Sequence, residues 1–207
     1  MYSDIIPITY KAGSGGNFLC HFLVSAKIKN KELIKLSPYG HAHHSLSDLY
    51  SSRTWINQTD KFIIDSLSKL IKKQSIAPYF VSAHLTDIDL INLSFNKSIR
   101  IVYDIDDAEE IATIFYKKFV GNNSNNIKQF ISESTLENEI SYTKNDWQYF
   151  NNEINIPNIL FVSWKEYFRG DIEDLITKLS LFTDINSANF SRESLILWRT
   201  ATEKCLD

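Results

Sequence analysis

The sequence has only two cysteines, Cys20 and Cys205, in 207 residues. They lie near opposite ends of the chain and have no metal-ligand spacing, which argues against a disulfide framework or a cysteine-based metal site. We expect both to be free thiols in a reducing compartment, and we expect no bound metal.

Long apolar runs and a strong excess of one charge are also missing. No stretch is long enough to span a membrane, and residues 1–4 lead into an apolar segment with no basic region before it, so neither a membrane span nor a secretory leader is expected. The 22 Lys and Arg against 25 Asp and Glu give a net charge of −3. Nucleic-acid binding usually needs a basic face. We therefore expect a cytoplasmic protein that binds neither membranes nor nucleic acids.

What the sequence does contain is a strand, a glycine-rich turn and a helix in direct succession. Ile5–Tyr10 predicts a buried strand and Gly16–Lys29 an amphipathic helix. Small residues between them let backbone N–H groups converge, and the positive end of the helix dipole points to the same place. This favours a site for a phosphate or sulfate group; the alternative is a tight turn that needs glycine for its backbone angles. The binding groups would come from Lys11, Gly13, Ser14, Gly15, Gly16, Asn17 and Phe18.

The rest of the chain alternates strands and helices, without an internal repeat or a long linker. The further predicted strands are Tyr79–Ala83, Ile99–Tyr103 and Ile159–Ser163. The further predicted helices are Thr59–Lys73, Asp107–Val120, Ile127–Leu136, Lys144–Asn152, Asp171–Phe182 and Arg192–Cys205. The predicted loops are Pro38–Trp55 and Asn122–Asn126.

This alternation predicts a single α/β domain over residues 1–207. Strands that are apolar on both faces are typical of a parallel sheet covered by helices on both sides. Right-handed crossovers bring the carboxyl ends of parallel strands to one edge, where ligands bind in open α/β sheets. We therefore expect the glycine-rich turn, His84 and Asp104 to meet at that edge.

Three segments, in order, resemble the cytosolic sulfotransferases and their P-loop relatives. Ser14-Gly15 and Phe18-Leu19 are similar to the Ser-Gly and Trp-Leu pairs of that family's donor-binding loop. Val81-Ser82-Ala83-His84-Leu85 is similar to its Lys-Thr-His-Leu strand end. Ile101-Val102-Tyr103-Asp104, with the helix at Ala108–Tyr116, is similar to the strand and helix that hold the donor's 3′-phosphate. A weaker fourth likeness covers Asn158–Tyr167 and the helix behind it.

The resemblance implies a three-layer α/β/α domain of the P-loop type. It implies transfer of a sulfuryl group from a donor like 3′-phosphoadenosine 5′-phosphosulfate to a hydroxyl or amine of a small molecule or glycan, without a metal. His84 would then accept the acceptor's proton, and Lys11 would hold the departing phosphate. Asp104 and Thr113 would lie near the donor's 3′-phosphate.

Several residues depart from the family pattern. Gly13 stands where a lysine precedes Ser-Gly, so Lys11 replaces that lysine only in a longer loop. Asp104 stands where an arginine is expected and would repel a 3′-phosphate, and Arg199 alone represents a late Arg-Lys-Gly motif. The Gly-x-x-x-x-Gly-Lys-Ser/Thr pattern is absent, which disfavours ATP or GTP hydrolysis. The alternatives are a P-loop-like protein that binds a nucleotide or anion without transfer and, less favoured, a small-molecule kinase.

The histidines have plainer explanations as well. A neutral imidazole that titrates near ~6.5 suits a general base, but His84 is equally compatible with capping a backbone group at a strand end. His41, His43 and His44 match no zinc-site spacing and favour a solvated loop.

The predicted helix Asp107–Val120 also has residues with structural explanations. We expect Asp106 to be its N-cap, with Asp107 and Glu109 in its first turn. Lys117 and Lys118 are expected to be a solvated helix end. Most tryptophans, among them Trp198, are expected to pack in the core rather than stack on an adenine ring.

Overall fold

The computed structural model describes residues 4–11, 13–30, 34, 36, 77–84, 96–120, 135–151 and 158–207, with the backbone alone at 83, 84, 119, 120 and 148–151. The strands are β1 (Ile5–Tyr10), β2 (Tyr79–His84), β3 (Ser98–Val102) and β4 (Ile159–Ser163). The helices are α1 (Gly16–Ile28), α2 (Ala108–Val120), α3 (Leu136–Asn151), α4 (Trp164–Arg169), α5 (Ile172–Thr183) and α6 (Arg192–Glu203). Short 3₁₀ turns span Ile105–Asp107 and Ser187–Asn189.

The predicted α/β fold with a parallel sheet is confirmed. All strand pairs are parallel, and the order across the sheet is β2-β1-β3-β4. The strands β1 and β4 have the predicted bounds, whereas β2 and β3 differ from prediction by a single residue at their ends. The predicted segments Pro38–Trp55, Thr59–Lys73 and Asn122–Asn126 lie outside the described residues, as does nearly all of Ile127–Leu136.

The core lies between the sheet and its helices. Every residue of β1 is buried, because this inner strand has neighbours on both sides and is covered on both faces. Arg100 of β3 is only 1% exposed and lies in register beside Thr9, to whose Oγ1 its Nε donates at 3.4 Å. Burial lowers the pKa of this guanidinium to about 10.

Two helices differ from the sequence-based prediction by more than two residues. The helix α3 begins at Leu136 rather than at Lys144, since the Thr135 hydroxyl accepts from the Asn138 amide at 3.2 Å and Glu137 suits the positive helix end. The helix α4 was not predicted. Its buried residues Trp164, Tyr167 and Phe168 have helical i, i+3, i+4 spacing, but the segment is too short for that period to be distinctive.

Two expectations for the helix that follows β3 are wrong. The capping residue is Asp104, not Asp106: the Asp104 amide donates to Asp107 Oδ2 at 2.9 Å, and Asp104 and Asp107 form a reciprocal capping box around the 3₁₀ turn. Lys118 is not solvated but 5% exposed, with its Nζ donating to Thr202 Oγ1 at 3.2 Å and lying 5.8 Å from the Trp198 ring centre. Burial lowers the pKa of Lys118 to about 8.

Cys20 and Cys205 are both buried, and neither is part of a disulfide. Burial raises the pKa of the Cys20 thiol to about 12. In the described part of the chain, no helix combines the length and the apolar character that crossing a membrane requires.

Candidate functional site

The glycine-rich turn, residues 11–15, lies at the carboxyl edge of the sheet, between β1 and α1. His84 ends β2, and its backbone is in register with Tyr10, the last residue of β1. Asp104 follows β3, which runs parallel to both strands. The backbones of the turn, His84 and Asp104 therefore meet at one edge, as the predicted topology requires.

Two glycines with positive φ set the shape of the turn. Gly13 has a φ of 96° and Gly15 a φ of 85°, in the left-handed region that other residues rarely adopt. Between them, Ser14 is buried, and its amide and its Oγ both donate to the Lys11 carbonyl, at 3.0 and 2.7 Å. The donors that we expected Ser14 to offer to an anion are therefore used within the turn itself.

Further backbone donors lie in the first turn of α1. The first helical bond runs from the Leu19 amide to the Gly15 carbonyl at 3.0 Å. The amides of Gly16, Asn17 and Phe18 precede that bond, and within the described part of the chain no group accepts from them. The Asn17 Oδ1 accepts from the Tyr10 hydroxyl at 2.6 Å, which leaves the Asn17 NH₂ group as a further donor.

Gly13 and Gly15 of the turn and Gly16 at the start of α1 each also have a packing reason to be glycine. A Cβ atom on Gly13 would overlap the Ile111 carbonyl of α2. One on Gly15 would overlap the Trp198 indole, and one on Gly16 the Tyr10 ring. Close packing therefore accounts for the three glycines by itself, and the number of glycines does not distinguish an anion site from a tight turn.

A stack of aromatic rings packs against the turn. The Trp198 ring of α6 lies between Phe18, at 4.9 Å and 8°, and Tyr167, at 4.6 Å and 22° between ring planes. The Tyr167 hydroxyl donates to the Gly15 carbonyl at 3.2 Å, and burial raises its pKa well above the ordinary value. The sequence gives no local sign that Tyr167 or Trp198 contacts the turn, since Tyr167 alone is 152 positions from Gly15.

Lys11 does not stand free beside the turn. Its ammonium forms an ion pair with the Asp146 carboxylate of α3, with side-chain exposures of 16% and 36%. The positive charge that we expected at the turn is thus present, but the ammonium is already paired with the Asp146 carboxylate. Asp146 was missed because nothing distinguishes it within the polar sequence of α3.

The residues expected near a 3′-phosphate form a different arrangement. The Lys165 ammonium lies 3.6 Å from an Asp104 carboxylate oxygen and 3.2 Å from one of Asp107. The hydrogen bond with Asp107 is the main reason that the pKa of Lys165 is raised above its ordinary value. Two carboxylates against one ammonium leave this place with a net negative charge. Thr113 lies in the second turn of α2 and is half-buried.

Arg199, which alone represents the late Arg-Lys-Gly motif, is hydrogen-bonded within the fold. Its guanidinium donates to the carbonyls of Tyr167 at 3.0 Å, Gly170 at 2.7 Å and Glu166 at 3.2 Å. These carbonyls lie at the end of α4, where a helix leaves its last carbonyls short of backbone donors. The Glu166 carbonyl also accepts from the Gly170 amide, at 2.9 Å. Arg199 therefore caps α4 from α6 and holds Tyr167 beneath the glycine-rich turn.

His41, His43 and His44, like Ala12 of the turn, lie outside the described residues. In comparisons with known proteins, no family model and no curated protein matches the chain. The sulfotransferase resemblance thus rests on the motifs quoted above.

Proposed function

We propose that this chain is a three-layer, P-loop-like protein that holds the phosphate or sulfate end of a nucleotide in its glycine-rich turn. The reaction we propose is transfer of a sulfuryl group from that nucleotide to a hydroxyl or amine of a small molecule or glycan. The observation that carries the proposal is the set of backbone donors at Gly16, Asn17 and Phe18, at a helix N-terminus on the ligand edge of a parallel sheet.

The described residues fit one end of the donor that the resemblance implies. At the first turn of α1, the three amides and the Asn17 NH₂ group suit the oxygens of a tetrahedral anion, with the helix dipole adding favourable charge. At the end of β3, the net negative charge of Asp104, Asp107 and Lys165 does not fit a 3′-phosphate. A ribose hydroxyl, which can donate to a carboxylate, fits that place better.

We assign the acceptor's proton to His84. An attacking hydroxyl must lose its proton, and a neutral imidazole is suited to accept it near neutral pH. Support comes from the backbone register of His84 with Tyr10, immediately before the turn. In this proposal His84 accepts the proton of the acceptor. The turn holds the 5′-phosphate of the nucleotide, which leaves once the sulfuryl group is transferred.

A second candidate function is binding of a nucleotide or anion without transfer. Two observations favour it: the ion pair that occupies Lys11, and the net negative charge at the end of β3. Neither observation affects the backbone donors at the start of α1. Both disfavour the binding of a donor that carries a 3′-phosphate.

Isothermal titration with adenosine 3′,5′-bisphosphate and with AMP separates the two candidates. A sulfotransferase should bind the bisphosphate at least tenfold more tightly than AMP. Similar affinities for both would favour binding without transfer. Absence of binding by either would contradict both candidates.

The His84→Ala variant tests the assigned base once turnover is measured with a sulfated nucleotide. Loss of turnover by two orders of magnitude or more, with the affinity for the bisphosphate unchanged, is the expected result, since general base catalysis contributes roughly 10²–10⁴-fold. Unchanged turnover would remove His84 from the reaction and leave the anion site untouched.

A further inference from the structure

The contact between the glycine-rich turn and α3 is made by a charged residue that the proposed site needs. Lys11 is the first residue of the turn, and its ammonium forms an ion pair with the Asp146 carboxylate. Neither side chain is fully exposed, so water screens the pair only in part. An anion in the turn and the Asp146 carboxylate would therefore compete for the Lys11 ammonium.

The helix α3 packs against α2, and its polar contacts with the segments that follow β1 and β3 include this ion pair and a buried hydrogen bond. The Tyr103 hydroxyl donates to the Thr143 carbonyl at 2.8 Å. Residues 143 and 146 lie on one face of α3, because residues three apart in a helix are neighbours. Burial, and then the Asp146 carboxylate, raises the pKa of the Tyr103 phenol.

We propose that Asp146 is an internal competitor of the anion at the glycine-rich turn and that binding an anion there releases Asp146 from Lys11. This inference rests on the proposed function, because it assumes an anion site in the turn. It makes Asp146 a residue that lowers the affinity of the site and makes α3 an element that responds to ligand.

Two charge effects of Asp146 act in the same direction. Its carboxylate neutralises the ammonium that would attract an anion, and the carboxylate itself repels an anion that approaches the turn. Replacing it with asparagine removes the negative charge at nearly the same volume. The substitution therefore strengthens anion binding, although it removes an ion pair of the free protein.

The first test compares the affinity of adenosine 3′,5′-bisphosphate for the full chain, for Asp146→Asn and for Glu137→Gln. Glu137 is exposed in the first turn of the same helix, so its variant has the same change in net charge. We expect binding five- to twentyfold tighter in Asp146→Asn and a change below twofold in Glu137→Gln. Equal affinities in the two variants would overturn the inference.

A double variant isolates the part of the effect that passes through Lys11. With Lys11→Met in place, Asp146→Asn no longer frees an ammonium and removes only repulsion. The gain from Asp146→Asn should then shrink to about twofold or less. An undiminished gain would show that Asp146 acts on the anion without Lys11 and would contradict the release that we propose. Asp146→Ala repeats the comparison if the asparagine variant folds poorly.

Hydrogen exchange provides a readout that a purely structural ion pair would not change. On saturation with the bisphosphate, the amides of Gly16, Asn17 and Phe18 should exchange more slowly, and those near Asp146 in α3 more quickly. In Asp146→Asn, the α3 amides should be insensitive to ligand. Protection at the turn without any change in α3 would refute the inference but support the proposed function, whereas no ligand effect at either place would contradict both.

Discussion

The edge of the Trp198 indole lies directly against the Cα of Gly15, so that a Cβ atom there would overlap the ring. The same indole is stacked between Phe18 and Tyr167, and Tyr167 donates to the Gly15 carbonyl. The helix α6 therefore helps to hold the backbone of the glycine-rich turn in place. The shape of the glycine-rich turn thus depends on Tyr167 and Trp198, which are 152 and 183 positions from Gly15 in sequence.

Gly15→Ala should destabilise the protein by roughly 2–4 kcal/mol, because it adds a strained positive φ to an overlap with a buried ring. Chemical denaturation followed by circular dichroism measures the loss. In a Trp198→Phe background the smaller ring leaves room for the Cβ atom, so the cost of Gly15→Ala should fall to about 1 kcal/mol. An equal cost in both backgrounds would show that the close contact with Trp198 is unimportant.

Lys118→Met should stabilise the protein at pH 7 by roughly 2–3 kcal/mol, since it removes a buried ammonium whose pKa is lowered from 10.5 to about 8 by burial. Between those two pKa values the unfolded chain binds more protons at Lys118 than the folded one. The penalty for the ammonium is therefore complete below about pH 8 and is relieved as the pH rises towards 10.5.

The advantage of Lys118→Met over the parent chain should accordingly decrease between pH 8 and pH 10. Free energies of unfolding from urea titrations at several pH values test this. Lys117→Met is the matched control, because Lys117 is only half-buried and this variant retains the buried Lys118. A gain that is the same at pH 7 and pH 10, or equal in the two variants, would contradict a buried, weakly basic Lys118.

Arg199→Ala should destabilise the protein by roughly 2–4 kcal/mol, because three carbonyls at the end of α4 lose a charged donor. Arg199→Lys should recover only part of this loss, since one ammonium cannot reproduce the fork of the guanidinium. Thermal unfolding compares these variants with Arg192→Ala, which breaks an exposed pair with Glu173 and a long hydrogen bond to the Phe190 carbonyl at 3.5 Å and should change little. A similar effect of Arg192→Ala and Arg199→Ala would refute the capping role.

Local patterns in the sequence predicted the framework of the fold. The continuous apolar run of β1 identified this strand with its observed bounds, since a strand buried in a parallel sheet needs no alternation. The apolar segment of β4 identified an edge strand with its observed bounds, in which Val162 is buried and Phe161 exposed. Asp171 before an amphipathic segment marked the start of α5, where its side chain accepts from the Glu173 and Asp174 amides. Parallel pairing then placed the glycine-rich turn and the backbone of His84 at one edge.

The contacts that shape the candidate site were not predictable in this way. Lys118 looked like a solvated helix end because its burial depends on Thr202 and Trp198, far away in sequence. The partner of Lys11 is a carboxylate on a helix whose start was placed too late. Such pairings arise from the packing of whole helices, and no local period or motif encodes them.

The central claim is that the amides of Gly16, Asn17 and Phe18 bind a tetrahedral anion. Amide chemical shifts from a titration of the isotope-labelled chain with adenosine 3′,5′-bisphosphate test it most directly, with adenosine as the uncharged control. We predict saturable shifts at these three amides with the bisphosphate and none with adenosine. Shifts that do not saturate, or a saturable response that leaves these three amides unchanged, would contradict the account.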